Sequence, residues 1–325
     1  MRELLITAEF SEASIEKLRE AAGPNFHVEV LAPDSEPMMR YVAFRTAEVI
    51  IGEPNEEELE LAAGLRWLQL TWAGADRYIK NPNFPAGVVL TNASGAFGVT
   101  VSEHILAGVL TLCRHLTAYR TYQFRTVARP AGKEKLLFGG TALIFGTGDI
   151  GTQTAKRLKA FGMKVIGVFR SRRPQSEDFD RLITMAEADR FLPLADLVVG
   201  CVPETKQTMR YFDRERLLQM KEDAILVNVG RGSFVVTEDL AELLQKGHLF
   251  GAVLDVTDPE PLPPDHTLRH LRNVILTPHV AGPSFGAEET EKKITAICCD
   301  NLRRYNSAWP LRNQVDFATG YRRRG

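Results

Sequence analysis

Short apolar runs alternate with stretches of helical period along the whole chain. LLIT at 4–7, HVEVL, EVIIG, LRWLQL and GVVLTN read as strands, with helical patterns at 13–21 and 56–63 between them. This alternation predicts α/β units on a mostly parallel sheet. One long helical pattern follows over about 101–124, with Thr100 or Ser102 available as its cap and Glu103 suited to its first turn. A second series starts at Thr141. TALIFG, KVIGVF, DLVVGCV, AILVNVG, FGAVLDV and NVILTPH are strand runs. Residues 149–161 carry Ile150, Ala155, Leu158 and Phe161 on one helical face, and 214–220 and 238–245 are further helical patterns. A long amphipathic pattern at 287–305 ends the series and is able to return to the first strand-rich region.

Composition narrows the class. The 325 residues are 44% apolar and 25% charged, enough for two ordinary soluble domains. A formal net charge of −1 gives no global attraction to nucleic acid or membrane, so neither is expected as a partner. Cys113, Cys201, Cys298 and Cys299 form no CxxC pair, which fits a reducing cytoplasm better than a disulfide framework or zinc site. MRELLITAEF carries acidic residues and reads as a strand, not as a signal peptide. The longest apolar stretch, around 105–116, is interrupted by Arg114 and His115. His266 and His270 have helical metal-ligand spacing, but no HExxH accompanies them and Pro263 and Pro264 lie just upstream, so no metal is expected. His104 and His115, on the long apolar helix, read as structural. Arg322, Arg323 and Arg324 read as a solvated end.

The strongest motif is IFGTGDIGTQTAKRL. Gly146, Gly148 and Gly151 form GxGxxG directly after a strand run and at the opening of a helix, the context that gives the pattern meaning. Gly146, Thr147, Gly148, Asp149, Ile150 and Gly151 are therefore candidate dinucleotide-binding residues, with a helix N-terminus facing the pyrophosphate. The next strand ends at Phe169. Arg170, 19 residues after Gly151, occupies the position where a carboxylate usually holds the adenosine ribose of NAD. Arg170, Ser171 and Arg172 would attract a 2′-phosphate, which points to NADP(H), with NAD at lower affinity. A solvated loop is the plainer alternative for the same cluster.

Three further segments end strands: NVGRGSFV, LDVTDPEPLP and LTPHVAG. In open parallel sheets ligands bind outside the carboxyl ends of strands, so Arg231, Glu260 and His279 are able to converge on one crevice. Taken singly, each also fits an ordinary surface turn or strand end.

With these motifs, the WAGAD loop, GTGDIG, NVGRG, LDV…EPLP and TPHVAG in this order, the chain resembles the D-isomer-specific 2-hydroxyacid dehydrogenase family. It is most similar to NADP-preferring glyoxylate/hydroxypyruvate reductase-like members. The resemblance implies two doubly wound parallel-sheet domains of α/β class: a flavodoxin-like substrate-binding domain, 1–98 and 286–325, and an inserted Rossmann-type cofactor domain, 99–285. It implies a small 2-oxo acid substrate, whose carboxylate would be held by Arg231 and by the backbone N–H groups of Ala73, Gly74 and Ala75. The reaction would be reduction to the D-2-hydroxy acid, with hydride from the nicotinamide and a proton from His279, since imidazole titrates nearest neutrality. Glu260 would orient that imidazole and favour its charged form. Asp255 would hold the nicotinamide carboxamide, or serve only as a strand-end carboxylate in a turn. Val202 and Pro203 would line the cofactor crevice, or be only core and turn. Trp72 would wall the substrate pocket or fill the first domain's core. A homodimer is implied, with the long helix taking part. Two alternatives stay open. One is an NAD(P)-sensing, corepressor-like binding module of the same fold. The other is a phosphoglycerate, formate or phosphite dehydrogenase of the family, although formate enzymes generally carry Gln where Glu260 stands.

Overall fold

The computed structural model describes residues 1–125, 129–170, 176–283 and 285–318. In chain order it runs β1 (Arg2–Ile6), α1 (Glu12–Ala22), β2 (Phe26–Val30), α2 (Pro37–Thr46), β3 (Val49–Ile51), α3 (Glu56–Leu61), β4 (Trp67–Gln69), α4 (Asp76–Ile79) and β5 (Val89–Thr91). There follow α5 (Gly98–Cys113), α6 (Leu116–Arg125), β6 (Thr141–Phe145), α7 (Asp149–Ala160), β7 (Lys164–Phe169), β8 (Arg181–Thr184) and β9 (Leu197–Gly200). Then come α8 (Arg214–Gln219), β10 (Ile225–Asn228), α9 (Thr237–Gln245), β11 (Gly251–Leu254), β12 (Val274–Leu276) and α10 (Glu288–Asn306). The fold is α/β. The chain divides into two compact units, residues 1–97 with 283–325, and residues 98–282.

The first unit holds a five-stranded parallel sheet of order β2-β1-β3-β4-β5, the flavodoxin-like order. Its core includes Leu5, Phe44, Ile50, Leu68 and Tyr78, all 2% exposed or less. α10 packs on α1 and is tied to the sheet by a buried polar network. Asn301 Nδ2 donates to Gln69 Oε1 at 2.8 Å, Thr91 Oγ1 donates to the same oxygen at 2.7 Å, and Trp67 Nε1 donates to Thr91 Oγ1 at 2.7 Å. Each of these polar atoms is buried with a partner, so none carries an uncompensated desolvation cost.

The second unit holds a seven-stranded parallel sheet of order β12-β11-β10-β9-β6-β7-β8, the Rossmann order with one strand added at the end. Every residue of β9, β10 and β11 is buried, as expected of strands covered on both faces. Phe145, Phe212 and Phe234 meet edge to face at the centre, with ring centroids 5.2–5.5 Å apart.

Some elements differ from expectation. The helix over 101–124 is two helices, because His115 takes the left-handed conformation (φ 51°) and its Nε2 lies 2.9 Å from the Lys133 carbonyl oxygen. α6 buries no side chain. α5 begins at Gly98, before Thr100 and Ser102. Ser102 Oγ donates inside the helix to the Val99 carbonyl, and the Gly98 N–H is donated to the Asp149 carboxylate at 2.6 Å. The cap thus comes from another helix. Phe161, expected on the buried face of α7, is its C-cap and 40% exposed. Pattern reading did not foresee α2, α4, β8 or the 3-10 stretch Met185–Leu194. No helix among the described residues is long and apolar enough to cross a membrane, and these residues contain no group of three or more potential metal ligands.

Candidate active site

The second unit builds its site from loops at the carboxyl ends of β6, β7, β9, β10, β11 and β12. After β6 the chain turns at Gly146 (φ 101°) into α7. The three glycines of this turn answer to different constraints. A Cβ on Gly146 would lie 2.7 Å from the Cys201 carbonyl oxygen, and one on Gly151 only 1.9 Å from the Gly146 carbonyl oxygen. A Cβ on Gly148 would meet no protein atom within 4 Å, so the protein itself does not require glycine there. Gly148 is the N-cap of α7 and provides no side-chain cap. The first amides of α7 are thus left for another acceptor. Cys201 Sγ lies against the turn, 3.1 Å from the Phe145 and 3.2 Å from the Gly146 carbonyl oxygen, and burial pushes its thiol up to about 12. Thr147 is buried, Ile150 is half-buried, and the Asp149 side chain is engaged with Gly98. Arg170 is exposed at the end of β7; Ser171 and Arg172 lie outside the described residues.

The loop after β10 is pinned on two sides. A Cβ on Gly230 would strike the Val202 backbone (carbonyl oxygen 2.5 Å), and one on Gly232 the Thr257 carbonyl oxygen (1.9 Å). Glycine at both positions lets the loops after β9, β10 and β11 close on one another, with Arg231 between them. Asn228, 1% exposed, braces the same loop: Nδ2 donates to the Arg231 carbonyl at 2.8 Å and Oδ1 accepts from Gly230 N–H at 3.2 Å. The half-buried Arg231 donates from Nη1 to the Gly230 carbonyl at 2.7 Å. Val202 is buried, and the Pro203 carbonyl accepts from Thr208 Oγ1 at 2.7 Å.

Glu260 and His279 meet. His279 Nδ1 lies 2.7 Å from Glu260 Oε1, with the side chains 51% and 39% exposed. A carboxylate accepts only, so Nδ1 carries the proton and Nε2 is the ring atom turned to other partners. His279 is left-handed (φ 56°), a conformation costing about 1 kcal/mol or more in a non-glycine residue. Asp255 holds it there. Its carbonyl accepts from His279 N–H at 2.9 Å. Its Oδ1 accepts from Thr277 Oγ1 at 2.6 Å and Val280 N–H at 2.9 Å, and its Oδ2 from Ala281 N–H at 3.0 Å. The carboxylate, 3% exposed, therefore braces the turn that carries His279.

In the first unit, the loop after β4 is fixed from behind. Glu53 Oε1 accepts from Thr71 N–H at 2.7 Å and Thr71 Oγ1 at 2.9 Å, and burial raises its carboxyl above the ordinary range. Asn92 Nδ2 donates to the Ala73 carbonyl at 2.7 Å, and Ala93 N–H to the Trp72 carbonyl at 2.8 Å. Ala73 and Gly74 are half-buried, and Ala75 is the N-cap of α4. Trp72 is 45% exposed, which removes the reading of it as core; the buried indole of this unit is Trp67. Sequence reasoning missed Glu53, Asn228 and the bracing by Thr277.

The family model for the D-isomer specific 2-hydroxyacid dehydrogenase NAD binding domain matches residues 106–281. A D-isomer specific 2-hydroxyacid dehydrogenase family protein from Aeromonas salmonicida is 34% identical, with a TM-score of 0.86 over 97% of this chain and 99% of its own. Glyoxylate/hydroxypyruvate reductase B of Yersinia pestis is 32% identical over 84% of each chain. The NADPH-dependent glyoxylate/hydroxypyruvate reductase of Sinorhizobium meliloti, solved with NADP and sulfate, is 26% identical, with a TM-score of 0.81 over 99% of this chain and 100% of its own.

Proposed function

Because the chain belongs to the D-isomer-specific 2-hydroxyacid dehydrogenase family, we propose that it is an NADPH-dependent reductase converting a small 2-oxo acid, of the glyoxylate or hydroxypyruvate kind, to the D-2-hydroxy acid. The observation that carries the reading is the Glu260–His279 pair, with Nδ1 taken by the carboxylate at 2.7 Å. With the ring charged, Nε2 delivers its proton to the substrate's carbonyl oxygen, and Glu260 favours that charged ring, orients it and keeps the remaining proton on Nδ1 once Nε2 has given its own. Arg231 supplies fixed positive charge and a planar donor fork for the substrate carboxylate. The amides of Ala73, Gly74 and Ala75 are proposed donors to a substrate carboxylate.

The residues of the glycine turn fit a dinucleotide. Gly146 and Gly151 make the tight turn, Gly148 leaves its backbone open to close approach, and the α7 amides lack a side-chain cap. Arg170 supports NADP over NAD by its place at the end of β7, and Val202 and Pro203 are proposed to flank the bound cofactor. The chemistry supplied by a bound nicotinamide dinucleotide is hydride transfer at the carbonyl carbon. We also propose a cytoplasmic homodimer. Four unpaired cysteines support a reducing compartment. Phe124, Leu136 and Phe138, each more than 70% exposed, support an apolar surface for a second copy.

The test is reduction of glyoxylate, hydroxypyruvate, pyruvate and phenylpyruvate with each cofactor. Turnover with NADPH of at least one is expected. No turnover, or a clear preference for NADH, refutes the proposal.

A further inference from the structure

A chain of hydrogen bonds runs from α5 to the turn that carries His279. His104 Nε2 lies 3.1 Å from Thr277 Oγ1 and 3.9 Å from Asp255 Oδ1. Thr277 has one hydroxyl proton, which goes to Asp255 Oδ1 at 2.6 Å, because a carboxylate accepts only. The hydroxyl must then accept from the histidine, so His104 carries its proton on Nε2. Asp255 in turn receives the amides of Val280 and Ala281, the two residues after His279. Four groups thus lead to one strained turn: the His104 ring, the Thr277 hydroxyl, the Asp255 carboxylate and the two amides that follow His279. Fixing three bonds on one buried carboxylate determines the direction of the backbone at 279 more tightly than the single Glu260 contact on a half-exposed ring can.

We propose that His104 is a positioning residue for His279, acting through the Thr277 hydroxyl and the Asp255 carboxylate. This rests on the reading of His279 as the proton donor. It predicts that losing the donor or the bridge loosens the turn and lowers the rate of the chemical step, while cofactor and substrate still bind.

The experiment compares His104→Leu, Thr277→Val and their double variant with the conservative pair His104→Gln and Thr277→Ser, which keep a donor and a hydroxyl. Each disruptive variant is expected to lower kcat about ten-fold, the scale of one lost hydrogen bond, with NADPH Kd and 2-oxo acid KM within two-fold of wild type. The double variant should be no worse than the worse single one, and the conservative variants should recover most of kcat. Hydrogen–deuterium exchange of residues 277–283 should quicken about ten-fold in the disruptive variants. Unchanged kcat and exchange in Thr277→Val, losses that multiply in the double variant, or equal defects in the Leu and Gln variants overturn the inference. If Thr277→Val does not fold, the His104 pair decides alone. If the wild type reduces no 2-oxo acid, the functional reading fails, and the exchange experiment still tests the hydrogen-bond chain.

Discussion

Replacing Asp255 with Asn keeps the shape and removes the charge. The amide has one acceptor oxygen. Kept at the Oδ1 position, it can still accept from Thr277 Oγ1 and Val280 N–H, but its NH2 then faces the Ala281 N–H, donor against donor. Turned the other way, its NH2 faces the Val280 N–H and the Thr277 hydroxyl must accept where it now donates, so one bond is lost and another reversed, and the first orientation is the better one. Ala281 is 3% exposed, so its amide has no ready route to water. An unsatisfied buried donor costs about 1–3 kcal/mol. The two surviving bonds lose their charge assistance, roughly half their strength. Neutralising a buried carboxylate removes a desolvation cost, but these oxygens already receive three hydrogen bonds, so that gain is the smaller effect. The net expectation is a loss of about 2–4 kcal/mol. For a unit of this size, that lowers its melting temperature by on the order of 5–10 °C. Urea unfolding followed by far-UV circular dichroism, with a thermal scan on the same samples, measures it. A loss below about 0.5 kcal/mol would show that the carboxylate does not brace the turn as described.

His279→Ala should cut kcat by about two to four orders of magnitude while leaving NADPH Kd near wild type; single-turnover reduction with a parallel fluorescence titration separates the two. Arg170→Asp should move cofactor preference toward NADH by about ten-fold or more, since a charge contact near 4 Å is worth roughly 1 kcal/mol in water and roughly 4 at an intermediate dielectric; an unchanged NADPH/NADH ratio of kcat/KM rules the contact out. Gly151→Ala sets a methyl 1.9 Å from a backbone oxygen. It should open the turn, weaken NADPH binding by at least about ten-fold and cost about 1–3 kcal/mol of stability, both readable by isothermal titration and urea unfolding. Burial raises the Glu53 carboxyl above its ordinary 4.5. The folded state therefore holds that proton to higher pH than the unfolded chain, and the associated stability is full below 4.5 and lost as pH rises through the folded value. The stability of wild type relative to Glu53→Gln should accordingly fall on going from pH 4.5 to 7, and a flat difference in urea midpoints contradicts the assignment.

Much of this was legible in the sequence for a physical reason. Strands covered on both faces must be apolar throughout, so LVVG, ILVN and GAVL announce themselves. A turn with two glycines, Gly146 and Gly151, forced by backbone contacts at 2.7 and 1.9 Å leaves a fixed signature. Arg231 and Glu260 stand out as candidates because each follows such a strand, and His279 because it follows the half-buried apolar run of β12. What escaped depends on contacts the chain order hides. His115 breaks a helix with a histidine where glycine would have been read as a stop. Half or more of α2 faces solvent, so its pattern is weak. Asp255 and Thr277 are 22 residues apart, and Glu53 and Thr71 are 18 apart. Nothing local marks either pair, and the bracing of both loops becomes visible only when the strands lie side by side.

The discontinuity of the first unit has a consequence for biosynthesis. Gln69 needs Asn301 as a hydrogen-bond partner, and Thr91 at the sheet edge bridges to Gln314. At roughly 5–20 residues per second, translation of residues 98–282 interposes on the order of 10–40 s between those partners. The nascent 1–97 segment emerges first but waits, its Gln69 oxygen short of one of two donors and one edge bare. Residues 98–282, contiguous on the ribosome, carry every strand of their own sheet and can close before it. The second unit to be started is thus the first that can be finished.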